Sequence, residues 1–231
     1  MIMKKIISIS AALLLAASAA FAQNLVILHV NDTHSHLEPV RETDEPGGKG
    51  GVIERAAYVD SVRTADGKKN VLLLHAGDFS QGTSYFTVLH GDVEIALINA
   101  LKYDVITLGN HEFDNGVEEL SRRLKQVKCP VVCSNYDFSS FELGKYVKPY
   151  AILRRGGLKI GVFGLLTDIT RVVQREVADR VPRLGDIESA QKWADFLKDV
   201  VYEKNLDGKE VPIVQDGCWG LNFGQLDVYK K

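Results

Sequence analysis

Short apolar runs alternate along the chain with stretches whose apolar residues recur at helical spacing. Leu25 to Val30, Val71 to Leu74, Val105 to Leu108 and Val131 to Cys133 are continuous enough in Val, Leu and Ile to predict buried strands. Between them Val93, Ala96, Leu97, Ala100 and Leu101 repeat with the helix period, as do Val117, Leu120, Leu124 and Val127. Asp114, ahead of Glu118 and Glu119, occupies the position expected of an N-cap for the second of these helices. Tyr150 to Leu153 and Leu158 to Phe163 flank Arg154-Arg155-Gly156-Gly157, a hairpin pattern. Ile187, Ala190, Ala194 and Leu197 then predict another amphipathic helix, ending near Lys198, with Val211 to Val214 and Asn222 to Tyr229 as closing strands. Strands that each feed a helix predict an α/β domain over residues 23–231, with no internal repeat or interdomain linker.

Composition narrows the class. With 231 residues, 45% of them apolar and 25% charged, the chain is in the globular range and can bury a substantial core. Residues 1–22 are set apart: Lys4 and Lys5 precede an apolar run from Ile6 to Ala20 that closes on Ala20-Phe21-Ala22, a secretory signal pattern with cleavage before Gln23. The run is short for a membrane span, and no cysteine near residue 22 offers a lipid attachment point. An exported, soluble mature chain is therefore expected, periplasmic or extracellular. Removing the two lysines of the leader leaves 26 basic against 30 acidic residues, a formal balance of −4. Such a surface gives no reason to expect a nucleic-acid polymer or an anionic membrane as partner. Cys129, Cys133 and Cys218 are too few for a disulfide framework. If Cys129 to Cys133 is extended, its ends lie about 13 Å apart, well beyond the roughly 7 Å that a bridge spans.

The candidate chemistry sits just after the strands. Asp32 and His34, two residues apart, point the same way if the chain is locally extended, and can then grip one divalent ion from one side. Alone, that pair also suits a capped turn. Asp78 ends the run Val71-Leu72-Leu73-Leu74-His75-Ala76-Gly77, where a carboxylate needs a cation or a turn role. Gly109-Asn110-His111-Glu112-Phe113-Asp114 is more specific: an amide oxygen, an imidazole and a carboxylate three residues on that can orient the ring. Three metal-suited clusters after three strands fall where α/β folds place their sites.

These segments resemble the 5'-nucleotidase and UDP-sugar hydrolase family within the calcineurin-like metallophosphatases. The matching text is Ile27-Leu28-His29-Val30-Asn31-Asp32-Thr33-His34-Ser35-His36, Leu74-His75-Ala76-Gly77-Asp78-Phe79-Ser80-Gln81-Gly82 and Gly109 to Asp114. Ser134-Asn135, Lys159 to Gly164, and Pro212 to Gly217 ahead of Gly220 add to it. The resemblance implies a calcineurin-like β-sandwich flanked by helices, here incomplete, and an exported phosphoesterase hydrolysing nucleotides or related phosphate esters. It implies Asp32 and His34 on a first divalent ion, zinc, manganese or similar, Asp78 bridging two, and Asn110 on the second. His111 with Asp114 would be the catalytic dyad, with the imidazole stabilising charge on the phosphoryl oxygens and the ions activating a water.

One departure changes what the resemblance carries. The family's later Ser-His and Gly-His-x-His segments have no counterpart, since His111 is the last histidine, and an internal shortening around 199–204 accounts for this. That leaves Asp32, His34 and Asp78 for one ion and Asp78 with Asn110 for the other, so retention of a single ion is an open alternative. His29 and His75 have the wrong strand parity to substitute; His36 has the right parity relative to His34 and is open as a substitute ligand, though a supporting or loop role suits it better; His90 suits a turn. Gly47-Gly48-Lys49-Gly50-Gly51 lacks a P-loop ending and reads as a helix lead-in, while Tyr85, Phe86, Phe138, Phe141 and Trp219 read as packing aromatics. The family's larger members recognise the nucleoside with a separate C-terminal domain, so a partner polypeptide supplying it enters the expectations. The competing readings are a degenerate or partner-completed metal-binding remnant, and a non-catalytic protein that captures phosphate compounds.

Overall fold

The computed structural model describes residues 23–45, 47–202 and 224–229. The leader expected over 1–22, the strand expected at Val211 to Val214, the Pro212 to Gly217 match, Cys218 and Trp219 lie outside the described residues, as do 203 and 204 of the expected shortening. The predicted strands are present: β1 (Gln23–Val30), β2 (Val71–His75), β3 (Val105–Thr107) and β4 (Val131–Val132), followed by a two-residue β5 (Val147–Lys148) that the pattern did not predict. They line up in the order β5-β4-β3-β2-β1, each pair parallel, and β8 (Gly224–Tyr229) closes the far edge antiparallel to β1. The hairpin forms its own sheet from β6 (Tyr150–Arg155) and β7 (Leu158–Phe163). Gly156 and Gly157 turn it with φ of 58° and 76°, the doubly left-handed conformation that a two-residue hairpin turn requires.

Strand parity decides the layers. Val26, Leu28 and Val30 of β1, Val71 and Leu73 of β2, and Ile106 and Val131 share one core with residues of three helices. These helices are α1 (Val52–Asp66), α3 (Asp92–Leu101) and α4 (Gly116–Leu124); two shorter ones, α2 (Ser84–Leu89) and α5 (Arg175–Ala178), lie in the connections. The alternate residues Val105 and Val132 face the opposite way and pack with Ala151 of the hairpin, flanked by Leu74, Leu153 and Val162. The last helix, α6 (Asp186–Tyr202), runs past the end expected at Lys198 and covers the hairpin. A side chain at Gly161 of β7 would collide with Leu197 at 2.8 Å, so this glycine sets the close approach. Ile187 is the exception to the helical reading, since it is 81% exposed. Cys129 and Cys133 are free thiols, as their spacing required.

The loop after β4 is tied down by Asn135, which is wholly buried. Its Nδ2 donates to the Leu166 carbonyl and to Asp186 Oδ1, both at 2.7 Å, and its Oδ1 accepts from the Leu166 amide at 2.9 Å. The Ser134-Asn135 match is thus a joint between the sheet and the segment leading to α6. Asn135→Leu strands both backbone groups of the buried Leu166, and urea unfolding should show a loss of about 3 kcal/mol.

Candidate metal centre

The parallel strands end together, and the loops that follow are stitched to one another by backbone bonds. The amides of Asp32, His34 and Ser35 donate to the carbonyls of Gly77, Asp78 and Phe79 at 2.9, 3.0 and 3.0 Å. Asp32, His34, Ser35 and Asp78 adopt φ of 49°, 44°, 53° and 52°, left-handed values that cost non-glycine residues about 1–2 kcal/mol each and persist only where surroundings over-determine them. The expectation of an extended Asp32-to-His34 stretch is therefore corrected. Both side chains converge because the backbone coils left-handed beneath them, held by the neighbouring loop.

The third loop comes in just as tightly. A Cβ on Gly77, at φ 95°, would lie 2.6 Å from the Gly109 amide, and one on Gly109 would overlap the Asp78 carboxylate. The His111 amide donates to Asp78 Oδ1 at 2.9 Å. As a result Asp32, His34 and Asp78 each present a ligand atom within 4.8 Å of the others. Asn110 lies between the two residues that touch Asp78 and begins the 3-10 turn His111–Phe113. The His111 ring meets His34 edge-on, with centroids 5.1 Å apart.

The donor set fits a divalent cation on its own geometry. His34 Nδ1 lies 3.3 Å from the Ser80 carbonyl, which can only accept, so Nδ1 carries the ring proton. In the neutral ring Nε2 then turns a lone pair toward Asp32 Oδ1 at 3.4 Å. Two acceptors facing each other repel unless positive charge lies between them. The other Asp32 oxygen takes a hydrogen bond from the Asn31 amide. Burial, with Asp32 close by, holds the Asp78 carboxyl above the ordinary range despite the opposing His111 amide and imidazole. A desolvated carboxylate so placed gains most from a bound cation.

Of the two roles expected of Asp114, the structure has the ring partner and not the helix cap. The N-cap of α4 is Asn115, which makes no side-chain cap bond, while Asp114 Oδ2 accepts from His111 Nδ1 at 2.9 Å. The 3-10 turn takes up the intervening residues and swings the carboxylate back under the imidazole. Burial pulls the His111 pKa down, but the hydrogen bond and charge of Asp114, with Asp78 and Glu112 behind, outweigh it and leave the ring above its ordinary value.

Glu112 was quoted in the motif without a role, and the structure supplies one. Wholly buried, it accepts backbone N–H bonds from Gly109 at 2.6 Å, Asp78 at 2.9 Å and Ser80 at 3.0 Å, joining the second and third loops. Burial and the Asp78 charge push its carboxyl up to about 7. Its spacing from Asp78 carries no signal of this, because the bonds run to main chain. The remaining histidines keep out of the cluster. His36 Nδ1 donates to the His34 carbonyl at 2.9 Å, the supporting role expected, and His90 ends α2 with an exposed left-handed turn. His29 and His75 are buried. His75 Nδ1 accepts from the Gly77 amide and Nε2 donates to Thr33 Oγ1 at 3.1 Å, so the neutral ring braces the two ligand loops from below.

Comparison with known proteins follows the geometry. Residues 25–218 match the calcineurin-like phosphoesterase family. The chain belongs to that family. It is 42% identical over 193 residues to human 5'-nucleotidase, covering 78% of this chain and 32% of that protein. It is 37% identical over 184 residues to the snake venom 5'-nucleotidase of Naja atra, covering 75% and 34%. The 5'-nucleotidase precursor from Thermus thermophilus superposes with a TM-score of 0.68 at 39% identity, over 76% of this chain and 35% of that one. The chain thus spans about a third of the length of these relatives. Among the described residues no helix is long and apolar enough to cross a membrane.

Two outcomes test this electrostatic picture. In metal-free protein, Asp114→Asn should lower the His111 pKa, read by NMR titration of the ring. Burial and the Arg55 charge depress His75 to about 3, so the unfolded state binds the extra proton between about 6.5 and that value. Stability from this neutral ring is complete above about 6.5 and falls with pH at about 1.4 kcal/mol per unit. His75→Gln, which keeps one donor and one acceptor, should flatten that acid limb in urea titrations at stepped pH.

Proposed function

We propose that this chain is a metal-dependent phosphoester hydrolase of the 5'-nucleotidase type, acting on nucleotides or related phosphate monoesters. The observation that carries the reading is the convergence of Asp32, His34 and Asp78 within 4.8 Å, with a lone pair and carboxylate oxygens turned toward one another. Asp32, His34 and Asp78 would hold a first divalent ion, and Asp78 with Asn110 would contribute to a second. When bound, such ions polarise the phosphoryl group and make a water nucleophilic near neutral pH.

The chain's own groups do the rest. Asp114 holds the His111 proton at Nδ1 and fixes the ring, leaving Nε2 to donate to a phosphoryl oxygen as negative charge builds there. Its raised pKa keeps more of the imidazole in the charged, donating form near neutral pH. The left-handed loops hold the ligands in place before substrate arrives, so little reorganisation accompanies the reaction.

Residues 1–22 direct export and are removed, so that the metallophosphatase domain, which begins at residue 23, meets its substrate outside the cytoplasm. Nucleoside recognition falls to a separate domain, such as a partner polypeptide would supply. The shortening near 199–204 reduces the donors for the second ion, so that ion is held more weakly than the first.

The deciding experiment strips the purified protein with chelator and titrates it with manganese or zinc while following metal uptake and hydrolysis of AMP and p-nitrophenyl phosphate. Chelation should abolish turnover, metal should restore it, and Asp78→Ala should lower it by about a thousandfold or more. A folded protein that takes up one ion and turns over neither ester would instead establish the binding remnant.

A further inference from the structure

Arg123 of α4 is the largest fully buried side chain in the molecule's described part, and nothing in the reaction so far uses it. Its Nη1 donates to Ser80 Oγ at 2.8 Å and its Nη2 to the Glu112 carbonyl at 2.7 Å. Both acceptors belong to residues that touch the ligand loops. Ser80 is held a second time by Glu112, whose Oε1 accepts the Ser80 amide at 3.0 Å. The Ser80 carbonyl, in turn, is the group that fixes the proton of His34 on Nδ1.

Stability alone does not account for an arginine here. Burying a guanidinium costs several kcal/mol, and apolar residues of similar volume usually serve a core as well or better. The site is nonetheless shaped to accept it. Gly91, at φ 93°, leaves room where a Cβ would lie 2.8 Å from Arg123 Cδ, and the Phe86 ring sits 5.9 Å from Cζ. Nε finds no hydrogen-bond partner among the described residues, so the guanidinium is aimed by its two Nη bonds and not by general satisfaction of its donors.

We propose that Arg123 is a positioning residue of the metal centre, acting through Ser80 to set the tautomer and orientation of His34. The guanidinium pins the Ser80 hydroxyl, Glu112 pins the Ser80 amide, and the carbonyl between them is left facing the His34 ring. With that carbonyl in place, Nδ1 is the protonated nitrogen and Nε2 the ligand. Loss of the anchor lets Ser80 turn and the ring proton redistribute. The consequence for metal affinity rests on the metal-centre reading above; the consequence for the tautomer does not.

The test uses Arg123→Met and Ser80→Ala in the whole chain. Ser80→Ala removes the acceptor of the guanidinium while leaving the backbone groups of residue 80, so it stands in if Arg123→Met fails to fold. In metal-free protein at a pH where the ring is neutral, imidazole nitrogen chemical shifts should show His34 as the Nδ1–H tautomer in the wild type and a mixture in the variants. Manganese titration should show affinity reduced about tenfold or more, the usual effect of losing a group that orients a ligand. The double variant should bind no more weakly than Arg123→Met, because both changes cut one connection. An unchanged His34 tautomer in the folded variants overturns the proposal and makes Arg123 a packing residue. A wild type that takes up no manganese counts against the metal-centre reading, while the nitrogen shifts still decide the role of Arg123.

Discussion

Two carboxylates and an imidazole lone pair brought within 4.8 Å of each other repel, and the architecture around them serves to hold that arrangement. The restraint is mostly main chain. Amides of the first loop bond to carbonyls of the second, the third loop lays an amide on Asp78, and Glu112 collects three further N–H groups from the second and third. Where the bonded groups are shielded from water, as at Glu112 and Ser80, breaking the bond costs the full desolvation of the group left behind. A cation then finds its ligands already gathered.

The same restraint explains the glycines and the strained backbone. Gly77 and Gly109 lie where the second and third loops touch, and a methyl group on either would force them apart. Asp32, His34 and Asp78 tolerate left-handed φ because their amides or carbonyls are engaged by the adjoining loop. Strain and chemistry coincide here, as they commonly do where a fold prepares a site in advance. Beneath the loops the neutral His75 and the charged Arg123 play opposite parts, one bracing by staying uncharged, the other by keeping its charge and directing its donors.

Much of this was legible before any coordinates. The β1 to β4 strands, α3, α4, the hairpin and the three motif loops are all visible as changes of period, since buried strands and amphipathic helices leave apolar residues at fixed spacings. What failed did so for local reasons. Asp114 fits both a helix cap and a partner of His111 in sequence, because spacing alone does not choose between an acid facing free amides and one facing a histidine three residues back; only the cap failed. Ile187 fits the apolar stripe of α6 yet is exposed, while the polar Ser189 of the same turn is buried, so the first turn is rotated away from the face the stripe implies. The two-residue β5 is too short to show any period.

Chain pattern by itself determined the α/β class, the strands whose ends carry the chemistry, and the side chains able to bind a divalent ion, because all three are written in residue type and period. Tertiary structure alone decided that Asp32 and His34 converge through a left-handed turn and not an extended one. It also decided which of the two roles open to Asp114 is taken, and gave Glu112 and Arg123 their partners. Most of those outcomes depend on hydrogen bonds between segments distant in sequence, and one side of most of them is a main-chain N–H or C=O, groups that nearly every residue possesses and that therefore leave no mark in the sequence.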